Sequence, residues 1–158
     1  MKPINISTNK TLKLNNVLKY VIYLSQADTI TFDNEINKMI SFINNRGAKQ
    51  IGPLIQFSDI HINGDECDIC MQFMLQADNY IHNVEPPYQM ESVVRVKNCL
   101  YAHYTGPEEK LKFAYDKLGV YAFENDIELQ GCNYTVYVDR NEESDTIVAD
   151  VFMPVKQD

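Results

Sequence analysis

The chain has 158 residues, 45% of them apolar and 23% charged, which is enough for one domain with a real core. Lysine and arginine total 14 against 22 aspartates and glutamates, a formal charge of −8, and this argues against nucleic acid or any polyanion as a direct partner. The opening MKPINISTNK lacks an apolar core of signal-peptide length and no segment reaches the length of a membrane span, so the expected setting is the cytoplasm, away from any membrane.

Taken in order, NVLKYVIYL (Asn16 to Leu24) is rich in β-branched and aromatic residues and predicts a first strand beginning near residue 16. FDNEINKMISFINNRG follows with Ile36, Met39, Ile40 and Ile43 at helical spacing, Thr31 or Asp33 as N-cap and Gly47 where a C-cap belongs. QIGPLIQFSDI and CDICMQFML then predict two strands joined at Asn63-Gly64, a strong hairpin signal. HNVEPPYQ, with its two prolines, reads as a joint.

The second half runs in the same order. SVVRVKNCLYAHY (Ser92 to Tyr104) predicts a long strand bulged near Lys97-Asn98. TGPEEKLKFAYDKLGVYAFEN predicts a helix opened by a Thr105/Glu108 capping box, with Leu111, Ala114, Tyr115, Leu118 and Ala122 as its apolar stripe. IELQGCNYTVYVD and TIVADVFMPV complete it as two strands about the polar turn RNEESD. Gly52 aligns with Gly131, and DICMQF (Asp68 to Phe73) aligns with DVFMPV (Asp150 to Val155). The expected fold is therefore α+β: a single domain over 1–158 made of duplicated β-α-β-β units, about 14–80 and 91–157. A pseudo-twofold would relate the units, with an antiparallel sheet and two main helices around a central groove.

Chemistry-bearing patterns are few. Cys67 and Cys70 form a C-x-x-C, but within a strand residues three apart face opposite ways. Cys99 and Cys132 stand alone, so the expectation is buried, reduced thiols rather than zinc or redox chemistry. His61, His82 and His103 show no metal-ligand spacing, and no phosphate-cradling glycine loop is present; no metal and no cofactor are expected. Seventeen aromatics without a tryptophan are the compositional outlier.

At this point the chain resembles the effector-binding domain of bacterial transcription activators, also called the GyrI-like small-molecule-binding domain. The residues that carry the resemblance are Gly106 with Tyr115, Gly131 with Tyr137, and Asp150 four places before Pro154. The resemblance implies a cupped pocket with aromatic walls for lipophilic, often cationic, molecules. It further implies that the acid of the last strand meets the ligand's charge; the family's usual Glu is here Asp150, one methylene shorter. Tyr137 matches the family's strand tyrosine, while Tyr101, Tyr104, Tyr115 and Phe57 follow from position, and Asp68 from its place opposite Asp150 in the repeat. The family's activators carry a DNA-binding region ahead of this domain, and a first strand near residue 16 leaves no room for one. A looser resemblance, through Asn15 to Val17, Gly52-Pro53 and the terminal DVFMPV, is to small proteins of this fold encoded beside secreted toxins.

Three functions follow as expectations. The first is a stand-alone small-molecule-binding domain for a lipophilic ligand, neutral or cationic. The second is a protein-interaction module with a protein partner, either gyrase-inhibitor-like or accessory to a secreted toxin. The third is a hydrolase using Asp150 and Tyr137. Either a monomer or a homodimer suits the exposed aromatic strands.

Overall fold

A computed structural model of the chain describes residues 3–23, 32–63 and 66–156, without the side chains of 60–68. Its elements are β1 (Ile6–Tyr23), α1 (Phe32–Asn45), β2 (Gln50–Asn63), β3 (Glu66–Ala77), β4 (Tyr88–Pro107), α2 (Lys112–Glu124), β5 (Cys132–Asn141) and β6 (Thr146–Pro154). The fold is α+β, with six antiparallel strands and two α-helices among the described residues. The chain divides into two compact units, one holding residues up to Leu12 and from Arg95 onward, the other Lys13–Val94.

In the Lys13–Val94 unit, β3 lies between β1 and β2, with Tyr20 opposite Phe73 and Phe57 opposite Gln72. Alternation along the strands sends Leu18, Ile22, Met71, Phe73 and Leu75 to one face, where they close on Met39 and Ile43 of α1. Each such side chain contributes about 1.5–3 kcal/mol on full burial. The end of α1 is set by Gly47 at φ 82°: its N–H reaches the Asn44 carbonyl and that of Ala48 the Ile43 carbonyl, both at 3.2 Å. Ala48 and Ile43 sit in one apolar cluster, so the helix stop is a Schellman motif with its hydrophobic contact. Asp33 falls inside the first turn of α1 rather than ahead of it, and Thr31 lies outside the described residues, as do Gly64 and Asp65 between β2 and β3.

In the other unit, β6 lies between β4 and β5. Leu100, Ala102 and Tyr104 of β4 and Ile147, Ala149 and Val151 of β6 form the face that receives Ala114, Leu118 and Ala122 of α2. The expected apolar stripe is thus the buried one. The expected capping box is not formed. Thr105, Gly106 and Pro107 continue the β4 ladder opposite Val148, Ile147 and Thr146, and α2 is entered instead through a 3₁₀ turn, Glu108–Lys110, with no side-chain cap. The ladder holds Thr105 extended, and Glu108 is drawn to Arg140 at 2.6 Å. Gly106 is required by packing, because a Cβ there would stand 2.9 Å from the Tyr104 hydroxyl, which donates to the Pro107 carbonyl at 2.5 Å.

Two strands differ from expectation. β1 starts at Ile6, ten residues before the apolar run, and its polar stretch is interrupted at Asn9 and Asn16, whose positive φ is one that asparagine tolerates. β4 likewise begins at Tyr88, while the expected irregularity near Lys97-Asn98 is present as Asn98 at φ 56°. No helix among the described residues is long and apolar enough to cross a membrane.

Candidate ligand-binding site

β6 presents Ala149 and Val151 to α2 and, by alternation, Asp150 and Phe152 to the opposite face of the sheet. Register fixes their neighbours. His103 and Val136 flank Asp150, and Tyr101 and Tyr134 flank Phe152. Directly opposed residues share a face, so these six form one patch on the side away from the helix.

Within it the Tyr101 hydroxyl donates to Asp150 Oδ1 at 2.7 Å, and His103 Nδ1 meets the same oxygen at 2.7 Å. A carboxylate only accepts, so the imidazole carries its hydrogen on Nδ1. Among the described residues no hydrogen bond falls on Oδ2. The Asp150 side chain is 24% exposed and that of His103 52%, so the carboxylate is sheltered while its edge is reachable. Burial, followed by the bond to Asp150 and its charge, holds the Tyr101 phenol far above its ordinary value. It is a fixed donor at neutral pH, not a base. The Tyr101 and Phe152 rings lie 5.0 Å apart at 51°, forming an apolar wall beside the acid.

The other expected residues are placed elsewhere. Tyr137 stands opposite Ala149, one position from the Val136–Asp150 pair, so it faces α2 while Asp150 faces away. Burial raises its phenol, with Tyr115 and Glu108 adding to the effect. Tyr115 belongs to the same helix-side cluster and shares a 2.5 Å hydrogen bond with the buried Thr135 hydroxyl. Tyr104 is wholly buried in that core. Phe57 lies in the other unit, on the face of β2 away from α1. The Asp68 backbone pairs with His61, but its side chain is outside those described. Of the expected residues the structure therefore joins Asp150 with Tyr101, and it adds His103 and Phe152. Their signal was the alternation of Tyr101 with His103 and of Asp150 with Phe152, though nothing local gives the register that sets them side by side.

Among the described residues, no group of three or more His, Cys, Asp or Glu side chains is placed to hold a metal. Cys99 is a buried free thiol, and Cys70 is buried on β3; the Cys67 side chain is outside those described.

No protein-family model matches the chain, and no curated protein matches its sequence. Solved structures do match. The EcmrR–DNA complex gives a TM-score of 0.67 at 14% identity, over 98% of this chain and 58% of that one, so the chain spans little more than half of that relative. The EcmrR C-terminal domain alone gives 0.58 at 17% identity, over 95% and 98% of the two chains. SAV2435 bound to tetraphenylphosphonium gives 0.54 at 10%, over 98% and 94%. A hydrolase from Listeria innocua gives 0.59 at 10%, over 97% and 91%. Likeness at these identities is likeness of fold, and it supports the GyrI-like fold that the sequence resembles.

Proposed function

We propose that this chain is a small-molecule-binding domain for a lipophilic cation, whose charge is met by Asp150 and whose apolar part lies on the Tyr101–Phe152 wall. The observation that carries this reading is the sheltered carboxylate, oriented by two donors on one oxygen and bordered by a tilted aromatic pair. A sheltered carboxylate gains from a counter-charge, and Oδ2 is the oxygen that a ligand cation would meet. Each ring adds about 0.5–2 kcal/mol of cation–π attraction. The fold shared with SAV2435, whose structure holds tetraphenylphosphonium, supports the ligand class.

The test is a thermal-shift comparison of tetraphenylphosphonium with neutral triphenylphosphine oxide. A ligand that binds only the folded chain stabilises it by about 2.7 kcal/mol at a hundredfold excess over its dissociation constant. The cation is expected to raise the melting temperature and the neutral molecule to do so far less. Equal shifts would remove the charge from the account, and no shift with either would remove the ligand class.

One observation favours a protein partner as the second reading. The outer face of α2 leaves Phe113, Val120 and Phe123 exposed, the last at 86%. The hydrolase reading has no comparable support, because Asp150 and Tyr137 face opposite sides of the sheet.

A further inference from the structure

The outer face of α2 is apolar where a solvated helix face is ordinarily polar. Ala114, Leu118 and Ala122 turn inward to the core, while Phe113, Val120 and Phe123 are 43%, 55% and 86% exposed. Steps of seven and three residues put these three on one side of the helix. α1 gives the contrast within the same chain. Past its first turn its exposed positions are Asn37, Lys38, Ser41, Asn44 and Asn45, every one polar. Gly119 borders the apolar stripe of α2. A Cβ added there would meet nothing within 4 Å, so among the described residues no packing calls for glycine. Glycine weakens a helix interior relative to alanine, and here it bares backbone that a second helix can approach closely.

Symmetry and charge identify that second helix. Phe113 and Phe123 lie five residues to either side of Leu118. Lys112 and Lys110 stand six and eight residues before Leu118, and Glu124 and Asp126 six and eight after it. Among the described residues none of these four forms an ion pair, and the Lys112 ammonium lies 5.8 Å from the Phe113 ring. Glu108 is engaged by Arg140, which leaves Glu109 as the one acid beside the two lysines. An antiparallel pair of α2 helices therefore sets ring against ring and each basic end over the other copy's acidic end, an isologous contact. A parallel pair would set like charges together. The formal charge of −8 repels a second copy at long range, but salt screens it beyond about 8 Å at physiological strength. A single pair of 13-residue helices is small beside the roughly 1,200 Å² of a stable interface, so the contact is weak and reversible.

We propose that the outer face of α2 is a homodimer contact, in which two copies of this chain pair their α2 helices antiparallel about a twofold axis at the level of Leu118. The protein partner favoured by this face is then the chain itself. The contact does not depend on the Asp150 reading.

The experiment is sedimentation equilibrium of the full chain at physiological salt, from about 10 to 500 μM. The average mass is expected to rise from monomer toward dimer with concentration. Phe123→Ser, a change at a ring already in solvent, is expected to weaken association at least about tenfold. Two charge variants test the orientation. One carries Lys110→Glu with Lys112→Glu, and the other Glu124→Lys with Asp126→Asn, asparagine being chosen because Asp126 has φ 55°. Each alone is expected to associate at least about tenfold more weakly than the wild type, and their equimolar mixture to return to within about threefold of it. A monomer at every concentration would overturn the proposal and return the face to a different protein. Wild-type association of Phe123→Ser would move the dimer to another surface, and a mixture no tighter than its components would exclude the antiparallel pairing. Should the charge variants fail to fold, the wild type and Phe123→Ser decide it.

Discussion

At the residue scale, what distinguishes Asp150 is asymmetry. Tyr101 and His103 both hold Oδ1, and among the described residues no hydrogen bond falls on Oδ2. The side chain is thus oriented through one oxygen, which leaves the other facing the patch. Cys99 shows the other fate of a reactive group in this sheet. Burial, then the neighbouring Cys132 thiol, pushes its thiol up to about 11. Below that value the thiol form dominates, so at pH 8 the thiolate is on the order of one part in a thousand, and only the thiolate is nucleophilic. Mass spectrometry after iodoacetamide treatment at pH 8 should therefore find Cys99 unmodified in the folded chain and modified in urea. Rapid labelling of the folded chain would contradict its placement.

Among the elements, α1 was legible because each of its signals is local. Ile36, Met39, Ile40 and Ile43 recur with the helical period, and the buried pair Met39 and Ile43 is the centre of that stripe. Gly47 provides the stop, and an added Cβ there would meet nothing within 4 Å. The only penalty for Gly47→Ala is thus the left-handed backbone itself, and urea unfolding should show a loss of about 1 kcal/mol with an unchanged slope. A loss near zero would mean that the helix end does not depend on the Schellman geometry. The start of α2 was misread for the opposite reason. Thr105 and Glu108 have capping-box spacing, but the ladder from β4 to β6 runs on through Pro107 and claims Thr105 for the sheet. A non-local pairing prevailed over a local motif.

At the scale of the whole molecule the same division holds. Helix and strand order, both apolar stripes, and the alternation within DVFMPV were readable, because burial imposes periods of 3.6 and 2 on the sequence itself. The register was not. Tyr101 and His103 are 49 and 47 positions from Asp150, and no turn between them fixes which pair of faces meets. Hence Asp150 and Tyr101 were expected without their contact, while His103 and Phe152 were missed. Tyr104, Tyr115 and Tyr137 were expected in a pocket; the sheet turns Tyr104 and Tyr137 toward α2, and Tyr115 meets the same core from α2 itself.

The role proposed for Asp150 is to take the charge of a bound cation. Its most direct test is isothermal titration of tetraphenylphosphonium into the wild-type chain and Asp150→Asn, at matched salt. Saturable binding to the wild type is expected, at least about tenfold weaker in the variant, with similar melting temperatures for the two ligand-free chains. Equal affinity in both chains would contradict it and leave Asp150 a structural residue of β6.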